Sequence, residues 1–158
     1  MGTVKKRILF LALALALTGL IVFTSLNTGQ TYSGIGSVVG EWFNRVFFGG
    51  NLNANEVDAL VGFGGKFLGH FWLFGFTGIF YWLFLGTMRI KRNAIMAILL
   101  GLGLILASLG ETIQIFTAGR FPTFADVLLN FLGFMFIPLT AFLFHGFYRG
   151  ELPREDVV

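Results

Sequence analysis

Residues 111–133 read ETIQIFTAGRFPTFADVLLNFLG and hold the densest group of polar side chains in an otherwise apolar chain. Two carboxylates, a guanidinium and two amides occur in this stretch, on Glu111, Gln114, Arg120, Asp126 and Asn130. Because unpaired charges are costly in an apolar environment, we expect these groups to face one another. The stretch therefore predicts a polar site at one face of a membrane, with the rest of the chain arranged around it.

The overall composition is that of an integral membrane protein. The chain has 158 residues, of which 56% are hydrophobic and 12% are charged, and its mean hydropathy is +0.81. Soluble domains are about 45–50% apolar and about 25% charged, so the excess apolar surface must face lipid. The net charge of +3 does not indicate nucleic-acid binding, because the basic residues lie where membrane topology places them. The absence of cysteine excludes disulfides, thiolate metal sites and cysteine nucleophiles.

Four apolar runs predict an all-α polytopic protein that forms a single membrane domain with four transmembrane helices. The predicted spans are residues 8–26, 67–86, 94–110 and 126–145, each near the length that crosses the hydrocarbon layer as a helix. A basic start followed by an apolar run is also typical of a signal peptide. The first run is longer than a usual signal core and lacks a clean cleavage site, which favours a retained helix. Pro138 lies inside the fourth span and predicts a bend that frees a backbone carbonyl.

The segment between the first two spans contains a fifth predicted helix. Residues 27–36 are rich in Thr, Gly and Ser and predict a loop, as do residues 51–55. From Ser37 to Phe48, apolar residues recur at helical spacing and the polar residues fall on the opposite side. This pattern predicts an amphipathic helix in the membrane interface, and a helix packed on the protein itself is the alternative.

The basic residues of the loops fall on two sides of the membrane in unequal numbers. One side receives Lys5, Lys6, Arg7, Arg89, Lys91, Arg92, Arg149 and Arg154. The other side receives Arg45, Lys66 and Arg120. Because short cytoplasmic loops are the basic ones, both termini are expected in the cytoplasm. The segment 27–65 and the loop 117–123 are then extracytoplasmic.

This topology brings polar residues from three spans to one depth near the extracytoplasmic surface. Helical spacing places each pair on one face of its span. The pairs are Lys66 with His70, Glu111 with Gln114, and Asp126 with Asn130, and Arg120 lies in the loop between spans three and four. A carboxylate at mid-membrane costs about 2.5–3.5 kcal/mol, and less if a cation faces it. The seven residues therefore predict a ligand-binding polar cluster, and a structural lock of interhelical hydrogen bonds, each worth about 1 kcal/mol, is the alternative.

The same side chains include types that catalyse reactions and bind metals. His70, Glu111 and Asp126 are of the types that ligate metals, but such mixtures are more often salt-bridge networks, so no metal and no other cofactor is predicted. The sequence contains no Gly-x-Ser-x-Gly, no His-Glu-x-x-His and no phosphate loop. Enzymatic activity therefore stays undecided at this stage, and no catalytic residue is assigned.

The polar residues also carry a resemblance to a known family. Two half-motifs carry it: Lys66-x-x-x-His70-Phe71-x-x-Phe74, and Glu111-x-x-Gln114-x-Phe116-x-x-x-Arg120-x-x-x-x-x-Asp126-x-x-x-Asn130-x-x-Gly133. This pattern, over about residues 66–136, resembles the VanZ-like family of bacterial membrane proteins, while the first helix and the segment 27–65 lie outside it. The resemblance implies a multi-pass protein of the bacterial plasma membrane. The founding members are linked to low-level resistance to teicoplanin and related lipoglycopeptides, which act outside the membrane on peptidoglycan precursors and the growing wall.

Three functions follow as hypotheses. In the first, Lys66, His70 and Arg120 engage an anionic group of an envelope ligand, such as a lipid-linked peptidoglycan precursor or a lipoglycopeptide. Membrane lipids are the other expected partners, and no nucleic acid is expected. In the second, the protein is an enzyme acting on an envelope lipid or its headgroup, with Glu111 or Asp126 as general base and His70 as acid or nucleophile. In the third, the protein is a scaffold that binds envelope proteins through its amphipathic helix.

Overall fold

The predicted fold class is confirmed, because the described part of the chain is all-helical with no strand. The computed structural model describes residues 3–27 and 29–150, and the side chains of residues 4–27, 37–65 and 67–144 among them. The helices are α1 (Thr3–Leu26), α2 (Gly29–Phe48), α3 (Ala54–Lys66), α4 (Leu73–Gly86), α5 (Arg92–Ile115) and α6 (Phe124–Gly150). A six-residue π-helical segment, Phe67–Trp72, joins α3 to α4; we call it the π segment.

Within residues 3–27 and 29–150, four helices are long and apolar enough to cross a membrane. They are Val4–Leu26, Ala54–Gly86, Arg92–Ile115 and Phe124–Phe144. At most 33% of the apolar window of any of them is buried inside the protein, so most of their surface faces outward, as helices surrounded by lipid require. The bundle forms because α4 packs against α1, α5 and α6, and α5 also packs against α1 and α6.

Several helices extend beyond the predicted limits. The third span continues to Ile115, and the second continues back through the π segment to Ala54. Residues 29–36, predicted as a loop, form the first turns of α2. Turn-rich composition is a weak local preference that the surrounding fold can override. The start of α3 is marked by a capping box, in which the Asn53 side chain accepts from Glu56 N–H at 3.1 Å and Asn53 N–H donates to Glu56 Oε2 at 2.9 Å.

α2 and α3 form a helical hairpin that one buried side chain closes. Gly49 and Gly50 have φ angles of 63° and 79°, in the left-handed region that glycine adopts at low cost. Asn44 donates through Nδ2 to the Leu52 carbonyl and accepts from the Leu52 N–H, both at 3.1 Å. Because Asn44 is buried, these two bonds are shielded from water and hold the turn in place.

Replacing Asn44 by alanine is expected to open this hairpin locally. The backbone N–H and C=O of Leu52 would lose their partner, which costs about 1–3 kcal/mol for a buried group. Amide hydrogen exchange at Leu52 should therefore rise about tenfold or more, since a tenfold change corresponds to about 1.4 kcal/mol, while exchange in α5 stays unchanged. Asn51→Ala is the matched control on an exposed neighbour, and equal exchange in the two variants would contradict the role of Asn44.

α4 and the π segment approach α6 closely through two glycines. A Cβ at Gly78 would collide with the carbonyl of Phe134, and a Cβ at Gly133 would collide with the carbonyl of Phe71. The Phe134 carbonyl is the one that Pro138 frees, because a proline cannot donate to the carbonyl four residues earlier. Gly78 therefore places its Cα, a weak hydrogen-bond donor, against that carbonyl.

α1 packs on the outside of the bundle and defines its two ends. Near its start, Arg7 donates to the Thr87 carbonyl at 2.9 Å, which pairs this end with the end of α4. Near its other end, the Ser25 carbonyl accepts from the Thr117 hydroxyl at 3.0 Å. The end where α1 and α5 finish and α6 begins, which we call the site end, carries the polar residues discussed next.

Candidate functional site

The predicted polar residues meet one to two turns below the site end. Glu111 and Gln114 come from the last turns of α5, Asn130 from the second turn of α6 and His70 from the π segment. Glu111, Gln114 and Asn130 are at most 6% exposed, so their polar atoms depend on one another rather than on solvent. Three separate elements of the fold therefore build one buried polar cluster.

Glu111 is the centre of the cluster, and its two carboxylate oxygens differ. Oε1 accepts from Asn130 Nδ2 at 3.0 Å and from Gln114 Nε2 at 3.3 Å, and lies 3.4 Å from His70 Nδ1. Oε2 is equally buried and has no hydrogen-bond partner within the described part of the chain. An unpaired buried acceptor is unusual in a native structure and indicates a role beyond packing.

The His70 ring is fixed through one of its two nitrogens. Nδ1 lies 2.9 Å from Asn130 Oδ1 and near Glu111 Oε1. Because both of these oxygens are acceptors, Nδ1 carries a proton and donates. Nε2 makes no hydrogen bond among the described residues, and the side chain is 15% exposed. The imidazole therefore presents Nε2 as its free nitrogen.

The π segment sets the position of His70 and was not predicted from the sequence. π-Helical turns are rare and occur frequently at functional sites. Here the turn lies against α6, where Gly133 leaves room for the Phe71 carbonyl, and Phe71 stacks on Phe67 with ring centroids 5.1 Å apart. The signal in the sequence that accompanies it is the glycine-rich run at residues 62–69, because glycine disfavours a regular α-helix.

Arg120 extends the cluster towards the surface. Its Nε donates to Gln114 Oε1 at 3.1 Å, and Gly119, with φ 71°, makes the turn that brings it back over α5. Among the described contacts, Arg120 is linked to Glu111 through the Gln114 amide. The sequence had predicted that the cations of the cluster face its carboxylates directly. The described basic side chain in contact with Glu111 is His70, whose Nδ1 lies 3.4 Å from Oε1.

Asp126 and Lys66 complete the predicted set but occupy different positions. Asp126 is buried at the start of α6, where its Oδ2 accepts from the Thr123 hydroxyl at 2.8 Å and its N–H donates to that hydroxyl at 3.2 Å. The Thr123 hydroxyl therefore caps the start of α6 by accepting from the third residue after it. Lys66 is the last residue of α3, and its side chain lies outside the described residues.

The described His, Asp and Glu side chains of the cluster do not converge on one point. Among the described side chains, no group of three His, Asp or Glu residues comes together in a way that could hold an ion. His70 and Glu111 are in contact, but the contacts described for Asp126 are with Thr123. The arrangement instead combines a buried carboxylate and two amides with a partly exposed imidazole and guanidinium, which suits recognition of a polar group.

No family model matches the sequence, and no curated protein and no solved structure is similar to it. The contacts of Glu111, His70 and Arg120 are therefore the basis for assigning a function.

Proposed function

We propose that this chain is a VanZ-like protein of the bacterial plasma membrane whose polar cluster binds a cell-envelope ligand. In this proposal, binding alters susceptibility to lipoglycopeptides of the teicoplanin type, and the ligand is a lipid-linked peptidoglycan precursor or the drug itself. Support comes from the residues of the resemblance. His70 stands well before Glu111, Gln114, Arg120 and Asn130 in the sequence, yet the five residues form one connected series of contacts.

The observation that favours a binding site over a structural lock is the unpaired oxygen of Glu111. A set of groups that only joins helices gains most when every polar atom is satisfied. Leaving Oε2 buried without a partner costs about 1–3 kcal/mol, and more for a charged group. A ligand that completes this atom supplies the reason for keeping a carboxylate there.

The two ends of the cluster are suited to an anionic group. Arg120 and His70 are partly buried, whereas the groups between them are buried. A guanidinium offers two parallel donors to a phosphate or carboxylate. A ligand would therefore contact the two outer residues first, while the inner amides hold Glu111 in position.

Loss of the Arg120 charge is expected to abolish the effect on drug susceptibility without loss of the folded protein. Expression of the wild type in a susceptible bacterium should raise the inhibitory concentration of teicoplanin, and Arg120→Gln should return it to the level of the empty vector, because an anionic ligand loses its bidentate partner. Arg45→Gln is the matched control, since Arg45 is an exposed residue of α2. Retained resistance in Arg120→Gln, at equal protein level in the membrane, would refute the proposed role.

A membrane enzyme acting on an envelope lipid is the second candidate, and the orientation of His70 favours it. A histidine whose Nδ1–H is held by an acceptor presents Nε2 as a general base, and Asn130 and Glu111 supply such acceptors here. Purified protein incubated with labelled undecaprenyl-linked lipid tests this candidate. A product formed by the wild type and lost in His70→Gln would support catalysis, and no product from the wild type would exclude this substrate.

The expected orientation places the site end outside the cell and both termini in the cytoplasm. Because the chain has no cysteine, single cysteines report accessibility without background. Ala118→Cys, exposed in the loop at the site end, should react with a membrane-impermeant maleimide in intact cells. Asn93→Cys, exposed at the opposite end, should react only after permeabilisation. The reverse pattern would overturn the orientation and with it the access of an external ligand.

A further inference from the structure

We propose that Glu111 Oε2 accepts a hydrogen bond from a primary amine of the ligand, so that the cluster selects headgroups that carry an ammonium group. This inference rests on the proposed function, because it names the chemical class that the same site recognises. Its evidence is the unequal use of the two carboxylate oxygens of Glu111.

The described residues satisfy only one side of the carboxylate. Glu111 Oε1 receives two amide N–H groups and lies 3.4 Å from the imidazole Nδ1, while Oε2 receives no donor within the described part of the chain. A carboxylate offers about four lone-pair sites over its two oxygens. The groups around Oε1 hold the carboxylate rigidly, and the atom left over is an acceptor that needs a donor.

A charged donor fits this atom better than a neutral one. The Glu111 side chain is 6% exposed, and in such surroundings hydrogen bonds between charged partners are shorter and stronger than neutral ones. The arginine of the cluster is separated from Glu111 by the Gln114 amide, with 3.1 Å and 3.3 Å contacts on its two sides. A cation and an anion on either side of one amide match a zwitterion, in which a phosphate lies near Arg120 and an ammonium near Glu111.

The depth of the cluster corresponds to a lipid headgroup. Glu111 lies four residues before the end of α5, and Asn130 lies six residues after the start of α6. At 1.5 Å per residue these positions are about 6 Å and about 9 Å below the helix ends. The headgroup layer is about 5–8 Å thick on each side of the hydrocarbon. An ethanolamine headgroup in the same leaflet would therefore lie at the depth of the cluster.

Lipid binding to the full-length protein in nanodiscs tests this inference. Nanodiscs of phosphatidylcholine are doped with phosphatidylethanolamine, its N-methyl or its N,N-dimethyl derivative, and bound lipid is counted by native mass spectrometry. We expect at least tenfold enrichment of phosphatidylethanolamine over phosphatidylcholine, falling stepwise as methyl groups replace N–H donors. Equal binding of all four headgroups by the wild type would overturn the inference, whatever the behaviour of any variant.

Two variants and a soluble competitor locate the effect. Glu111→Gln, which keeps an oxygen acceptor for Asn130 but turns the second oxygen into an amide donor, should lose the enrichment. Glu41→Gln, an exposed carboxylate on α2, should retain it. If free ethanolamine displaces the bound phosphatidylethanolamine, the amine alone is sufficient for binding. If it does not, the amine is recognised as part of the lipid headgroup, and both outcomes support an amine site. Unchanged enrichment in Glu111→Gln would refute it.

The proposed function and this inference fail separately. If Arg120→Gln loses drug resistance while the wild type shows no amine preference, only the amine inference is wrong. If amine enrichment depends on Glu111 while resistance is unaffected by Arg120→Gln, the amine site stands and the link to lipoglycopeptides is wrong.

Discussion

Gly133→Ala is expected to lower the free energy of unfolding by about 3 kcal/mol, at the upper end of the cost of overpacking. The added methyl group would collide with the backbone carbonyl of Phe71, and a backbone atom cannot move aside as the end of a flexible side chain can. The collision also falls beside His70, so that ligand binding should weaken with stability. Denaturant or thermal unfolding in detergent micelles measures the first effect.

The chain offers a control for this prediction on a neighbouring helix. A Cβ at Gly101 would have no atom within 4 Å, so Gly101→Ala should be neutral or should stabilise α5 by up to about 1 kcal/mol through helix propensity. If the two alanine variants unfold at the same denaturant concentration, α6 and the π segment are not in the close contact described here.

Glu111→Ala is expected to lower the free energy of unfolding by about 3 kcal/mol, whereas Glu111→Gln should cost about 1 kcal/mol. Alanine removes the acceptor for the Asn130 and Gln114 amides and leaves these two donors buried, and it removes the carboxylate that lies 3.4 Å from His70 Nδ1. Glutamine keeps one oxygen for those donors, loses the charge and replaces the second oxygen, which has no partner among the described residues, by an amide group. Equilibrium unfolding of the two variants in the same detergent gives the comparison.

A substitution at an exposed glutamate tests whether the loss of unfolding free energy is specific to position 111. Glu41→Ala, on the outer face of α2, should leave the unfolding transition unchanged. Equally mild effects for alanine and glutamine at position 111 would mean that the donors find other partners, and that the cluster is not organised around Glu111.

The sequence alone predicted the features that follow from the rarity of polar residues in the apolar runs and from the helical spacing of residues. Apolar runs of bilayer length predicted four spans, and all four correspond to helices of suitable length. Charged and amide side chains are rare in such runs, and their spacing placed Glu111 with Gln114 on one face of a helix. Because successive spans cross the membrane in opposite directions, His70 and Asn130 were predicted to lie at the same depth. In the structure His70 Nδ1 lies 2.9 Å from Asn130 Oδ1.

The features that the sequence did not reveal depend on packing between elements. A π turn differs from an α turn by one residue, and neither composition nor period distinguishes them. The route from Arg120 to Glu111 through Gln114 depends on side-chain conformations, which spacing along a helix does not determine. The early start of α2 likewise opposes its turn-rich composition, so that local preference alone gave the wrong boundary.

The uninterrupted helix from Ala54 to Gly86 has a consequence for how a large molecule would arrive. Its 33 residues measure about 50 Å, against about 30 Å of hydrocarbon. A straight helix of this length would fit inside the hydrocarbon layer only if it were tilted by about 53° from the bilayer normal. Membrane helices are tilted by about 0–40°. If the run is straight, roughly the length of α3 lies outside the hydrocarbon as a stalk at or above the lipid surface, with His70 near its base. A bulky saccharide or peptide headgroup would meet the stalk before it met the carboxylate.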